Sequence, residues 1–152
     1  MSKVVISDSA CLIALSKIGR LNILQALFSQ IIIPEAVYQE VVADGKNRPG
    51  SAAVSQAEWI QRETAKDEIA VNALRINLGA GESEAIILAK EKKADFVIID
   101  DRDARLTASE MGLPVIGTAG IIVKAAQKGL VENKKYIFDE LRSIGFYLPK
   151  HL

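Results

Sequence analysis

LGAGESEAIILAKEKKADFVIIDDRDAR, residues Leu78–Arg105, is the stretch on which the fold turns. Gly79 and Gly81 interrupt the preceding pattern, and Glu82 and Glu84 then open a helix with Ala85, Ile86, Leu88 and Ala89 as its apolar positions. Acidic side chains suit a helix N-terminus, where unpaired N–H groups and the macrodipole favour negative charge; Lys90, Lys92 and Lys93 complement the other end. FVII follows, four apolar residues that read as a buried strand. It stops abruptly at Asp100, Asp101, Arg102 and Asp103. Carboxylates gathered at the tip of a buried strand raise one another's pKa unless a cation or a proton intervenes. A metal ion is the usual remedy.

Outward from this stretch, strands and helices alternate. KVVIS (3–7) reads as a strand ending at Asp8, with Asp8 or Ser9 capping the helix ACLIALSKIG that Gly19 closes. LNILQALF is a second helix and Ile31–Ile33 a second buried strand. Pro34 suits the first position of the helix PEAVYQEVVA, which carries Glu40 near its end. DGKNRPGS (44–51) is the clearest loop, WIQRE (59–63) a short edge strand and EIAVNALRIN (68–77) a helix. Beyond the acidic strand end come the helix DARLTASEMG, the strand LPVIG, the helix TAGIIVKAAQKG capped by Thr118, and an amphipathic helix at about 135–145. The tail FYLPKHL is short and mixed.

This alternation predicts one domain over residues 1–152, an α/β three-layer sandwich with a mostly parallel sheet of four or five strands and helices on both faces. In such sheets, sites form beyond the carboxyl ends of the strands. Asp8 and Asp100 both stand at a carboxyl strand end, so topology alone lets them meet.

Composition narrows the classes. Lys plus Arg equals Asp plus Glu at 19 each, so the whole chain is not a polybasic nucleic-acid binder, although a local basic patch remains open. The single cysteine, Cys11, excludes an internal disulfide framework, reads as a small core residue and argues for a reducing, cytoplasmic setting. The start is too short and too polar for a signal peptide or a membrane span. His151 is the only histidine, so no zinc cluster is supported; GAGES lacks the lysine of a phosphate loop; no serine nucleophile elbow is present.

Each acid also has an ordinary reading. Asp8 is equally a helix cap, Glu82 and Glu84 first-turn acids, Glu40 a solvated helix residue, and Asp101 and Asp103 cap and turn residues. Lys46, Arg48, Arg102 and Arg105 are candidate phosphate contacts or plain surface charges, and Trp59 and Tyr38 read as packing residues.

The ordered set DSACLIAL, PEAVYQEV, LGAGESEAIILA, FVIIDDRDAR and LPVIGTAGIIVKAAQKGLV resembles the PIN-domain ribonuclease superfamily, in particular its small prokaryotic, VapC-like members. No single motif carries the resemblance; the order does, from residue 3 to about 131. It implies a cluster of acidic side chains holding Mg²⁺ or Mn²⁺, and metal-dependent hydrolysis of RNA. Residue by residue it falls on Asp8, Glu40, Glu82 and Asp100, with Asp101 beside the last. Placing Glu84 rather than Glu82 third would shift the fourth position to Arg102, which cannot bind a cation. Two departures stand out: Ala10 replaces a common small polar residue, and the third acid is Glu rather than the more frequent Asp. The resemblance further implies a homodimer, with ACLIALSKIG, LNILQALF and FDELRSIGFYL as the apolar stretches available for pairing, and a toxin role with a cognate antitoxin.

Two other classes compete. A PIN fold that binds RNA or a protein without cutting would be expected to have lost carboxylates. A phosphatase-like or receiver-like α/β domain needs further acids beside the first-strand aspartate, and here Asp8 stands alone.

Overall fold

The computed structural model describes residues 3–152. Its sheet has five strands: β1 (Val5–Ser7), β2 (Ile31–Pro34), β3 (Ile60–Glu63), β4 (Phe96–Ile98) and β5 (Val115–Ile116). They pair in the order β3-β2-β1-β4-β5, and every pairing is parallel. The helices are α1 (Ser9–Lys17), α2 (Asn22–Phe28), α3 (Glu35–Tyr38), α4 (Ser51–Gln56), α5 (Glu68–Leu74), α6 (Ala80–Lys92), α7 (Arg102–Glu110), α8 (Thr118–Gln127) and α9 (Lys134–Ser143).

The layers follow from the two-residue period of a strand, which sends successive side chains to opposite faces. Val5, Ile31, Ile33 and Ile98 enter one core with Leu12, Leu15, Leu24, Ile121, Ile122 and Phe138 from α1, α2, α8 and α9. Ile6, Ile32, Val97 and Ile99 enter the other with Ala85, Ile86 and Ala89 of α6 and Ala104 and Ala108 of α7. Both faces are covered, so the strands read as continuous apolar runs rather than alternating ones. The apolar faces of α1 and α2, candidates for a dimer surface in the sequence, are largely spent on this core: Cys11, Leu12, Leu15, Ile23 and Leu24 are buried.

Three local features differ from the sequence reading. Part of the 44–51 loop runs on into α4, a short helix that buries only Val54. The helix carrying Glu40 is not uniform: α3 ends at Tyr38, and Gln39–Ala43 form a π turn closed by the Asp44 N–H on the Gln39 carbonyl at 2.7 Å. Gly45 makes this turn feasible, because a Cβ there would stand 2.5 Å from the Val41 carbonyl oxygen. Finally, Asp8 occupies the N-cap position of α1 but makes no capping hydrogen bond with its side chain.

No helix among the described residues is long and apolar enough to cross a membrane.

Candidate active site

The strand order places β1 centrally, with β2 on one side and β4 on the other. The chain leaves β1 in one direction first and returns to its other flank later, so a crevice opens at the carboxyl ends of β1 and β4. Asp8 follows β1 directly, and its N–H still bonds the Ile98 carbonyl at 3.0 Å. Asp100 lies two residues past β4. Glu40 sits in the π turn after β2, where an inserted residue per turn re-aims the side chains that follow; such turns recur at functional sites. Helix α6 feeds into β4 and therefore runs against the strands, which brings its first turn, with Glu82, to the carboxyl edge.

Asp8 is the most confined of these carboxyls, 4% exposed. Its pKa is pushed up from 3.8 to about 7, chiefly by burial; the Ser9 backbone amide pulls it down, and Glu82, Glu40 and Asp100 push it further up. Glu82 is half-buried and also raised, by burial first, against the Gly79 amide that lowers it and with Asp101, Glu40 and Asp103 raising it. Gly81 packs into the same space: a Cβ there would lie 3.2 Å from Asp8 Oδ1, 3.2 Å from Val37 Cγ2 and 3.5 Å from Glu40 Oε1. The absence of a side chain at Gly81 is what lets α6 approach the two carboxylates.

The remaining acids have defined local partners. Glu82 Oε1 accepts from the Gly79 N–H at 3.0 Å, so one oxygen caps α6. Asp100 is anchored twice: Oδ1 accepts from the Thr118 N–H at 2.8 Å and Oδ2 from the Thr118 hydroxyl at 2.6 Å. Asp101 caps α7, accepting from the Ala104 N–H at 3.0 Å. Glu84, the alternative third acid, points elsewhere: it accepts from the Ala65 N–H at 3.4 Å and lines a hollow with Glu68, Val71 and Asn72 of α5. Two positions along a helix are about 200° apart around its axis, so Glu82 and Glu84 cannot share a face.

Cys11 lies under the cluster. Burial raises its thiol pKa, and Asp100 and Asp8 raise it further, against a lowering influence of the Thr118 side chain. It is a protonated thiol at neutral pH, so the site presents hard oxygens only. Among the described residues, no three His, Cys, Asp or Glu side chains close around a single point tightly enough to hold an ion as they stand. The carboxylates are neighbours in charge without forming a ready-made cage. The donor type nonetheless fits Mg²⁺ or Mn²⁺, which prefer a few carboxylates and keep several waters.

A family model for the PIN domain matches residues 4–152. The chain belongs to the PIN-domain family. PIN domains are in general nucleases, hydrolases that use divalent metal ions on nucleic acid. The five-stranded parallel sheet with helices on both faces is the three-layer fold that membership implies. A comparison with curated proteins found no match.

Two residues of the candidate site carry more in the structure than in the sequence. The sequence marks Thr118 as a helix cap; its hold on Asp100 reverses that role, the acid capping α8 while the threonine anchors the acid. The sequence marks Gly81 as a break in pattern. A hydroxyl residue opening the helix after the last strand was the one available signal for the first; nothing in the sequence signalled the second.

Proposed function

We propose that this PIN domain is a Mg²⁺- or Mn²⁺-dependent endoribonuclease, with Asp8, Glu40, Glu82 and Asp100 as the ion-holding and catalytic acids and Asp101 beside them. The observation that carries the reading is the buried Asp8 carboxyl, raised to about 7 with three further carboxylates acting on it. The arrangement costs the fold stability: Asp8 makes no capping bond, and the Ser9 amide offsets only part of its burial. A divalent ion bound there would supply an acidified water and positive charge against a phosphodiester.

The chain's own groups divide the remaining tasks. Glu82 and Glu40 add negative charge that acts on Asp8, and Thr118 keeps Asp100 from turning away. Without a cation the cluster repels a phosphate, so productive RNA entry is coupled to ion binding. The cellular role carried by the resemblance is that of a toxin, dimeric and restrained by a cognate antitoxin. Growth arrest on expression, relieved by the product of a neighbouring gene, tests that role separately.

A second reading has an observation in its favour. Because no three candidate ligands among the described residues close around one point, the domain also suits a module that binds RNA without cutting. Asp8→Asn separates the two. For the enzyme, RNA hydrolysis in Mn²⁺ falls by orders of magnitude while RNA binding is kept or tightened, since a repelling charge is gone. Wild-type protein that binds RNA, does not cleave it with either ion, and is unchanged by Asp8→Asn establishes the module instead.

A further inference from the structure

Beside the acid cluster lies a cavity of about 530 Å³, between the start of α7, the end of β5, the start of α8 and the C-terminal tail. Its walls differ in chemistry. Asp100 forms the edge shared with the acid cluster; Arg102 and Arg105 stand on one side; Phe146, Tyr147 and Leu152 form the apolar side. Gly117 forms part of the wall: a Cβ there would meet Arg105 Nη1 at 2.5 Å and Asp100 Oδ1 at 2.9 Å, so both side chains would have to move.

The two arginines are placed differently. Arg105 donates to the Ile99 carbonyl at 3.0 Å and is held against the end of β4. Arg102 is exposed, and neither guanidinium joins an ion pair among the described residues. Tyr147 is 86% exposed, the most exposed large hydrophobic side chain of the described chain. An apolar wall with an unspent aromatic face, one free cationic head and a second held in place, opening onto a carboxylate cluster, is complementary to one kind of unit: an apolar ring joined to an anion.

We infer that this cavity is a nucleotide subsite for single-stranded RNA, in which Tyr147 stacks on the base next to the scissile bond and Arg102 takes the adjoining phosphate. The volume is within the range of small-ligand sites, roughly 300–1,000 Å³. Stacking needs only a π face, which every base has, so the subsite favours an unpaired strand over any particular base. Arg102 also answers a difficulty of the acid cluster, since it places positive charge on the approach of a strand that the carboxylates repel. Arg105 holds the wall in position through Ile99. The inference deepens the endoribonuclease reading and rests on it.

The test uses 5′-fluorescein hexauridylate RNA and the full chain, with binding followed by anisotropy in Ca²⁺, a hard cation that takes oxygen ligands, and cleavage followed separately in Mn²⁺. Tyr147→Ala is expected to weaken binding about ten-fold, and Tyr147→Phe to restore it, because stacking on one aromatic is worth roughly that factor or more. Arg102→Ala is expected to weaken binding about ten-fold and to lower the salt dependence by about 0.7 in log–log slope, one phosphate contact to a single strand. Arg75→Ala removes the same charge from an exposed position far along the chain and is expected to leave both unchanged. An abasic RNA scanned through the six positions should lose affinity at one position in the wild type and not in Tyr147→Ala.

Binding by Tyr147→Ala equal to wild type, or an Arg102→Ala loss no larger than that of Arg75→Ala, overturns the subsite. If such variants still cleave in an Asp8-dependent way, the endoribonuclease reading stands without it. If Tyr147→Ala weakens binding while Asp8→Asn is silent and no cleavage occurs, the subsite stands and the catalytic reading falls. Wild-type protein that neither binds nor cleaves the RNA overturns both and leaves the groove to a protein segment.

Discussion

Thr118 holds both oxygens of Asp100, its backbone N–H at 2.8 Å and its hydroxyl at 2.6 Å. The pair ties the end of β4 to the start of α8 across 18 residues of sequence, and Thr118 is itself fully buried. The first helical residue after the last strand therefore sets the direction of an acid that follows the strand before it.

Thr118→Val keeps the volume and the backbone bond and removes the hydroxyl. A buried hydrogen bond to a charged group contributes about 1.5–3 kcal/mol. Urea unfolding should show a loss in that range, and RNA cleavage should fall further than stability accounts for, because Asp100 is left with a single anchor. Thr118→Ser should recover most of both. Equal activity in the valine variant and the wild type would remove Thr118 from the site.

Gly81→Ala opposes two effects. Alanine is favoured over glycine within a helix by about 1 kcal/mol. Its Cβ, however, would press on Asp8 Oδ1 and Val37 Cγ2, both at 3.2 Å. Thermal stability should change little, the propensity gain offsetting the crowding, while cleavage drops at least ten-fold. An alanine variant that cleaves normally would mean that the approach of α6 to Asp8 has no functional consequence.

Glu82→Gln and Glu84→Gln should part company. Glutamine still accepts from the Gly79 N–H, so the cap on α6 survives and only the charge is lost. Cleavage should fall strongly for Glu82→Gln and within two- to three-fold of wild type for Glu84→Gln, whose carboxylate faces α5. Equal losses in the two variants would refute this division of the helix.

The raised pKa of Asp8 makes stability depend on pH in a defined direction. The folded chain keeps a proton up to about pH 7 that the unfolded chain releases near 3.8. The native state therefore binds more protons in that window, and the Asp8 contribution to stability declines as pH rises from about 4 to 7 and is constant above. Glu82 acts in the same direction. Asp8→Asn should match the wild type near pH 4 in EDTA and be the more stable protein at pH 7.5, by a few kcal/mol at about 1.4 kcal/mol per tenfold change in proton affinity. Millimolar Mg²⁺ or Mn²⁺ should narrow the gap by stabilising the wild type. A stability difference between the two proteins that is the same at both pH values would disprove the shift.

What the sequence determined by itself was the order of elements and the layer each strand belongs to. Short β-branched or aromatic runs at 31–33 and 96–98, separated by helical apolar stripes, have few other ways to bury both faces, and a parallel sheet follows. Asp8 and Asp100 could be placed at carboxyl strand ends for the same reason. Three things were decided only by tertiary structure. Whether Glu82 or Glu84 faces the cleft depends on how α6 is rotated against the sheet, and the apolar pattern of that helix is nearly continuous, with Ala85 to Ala89 all buried, so it specifies no rotation. The π turn under Glu40 changes the hydrogen-bond register from four residues to five without disturbing the apolar positions Val37 and Val41, so periodicity does not report it. The groove beside Asp100 is built from a tail, Phe146 to Leu152, with no periodic pattern of its own. Local propensity acts over a few residues; the meeting of that tail with Arg102 and Asp100 spans more than forty, and only packing of the whole domain brings them together.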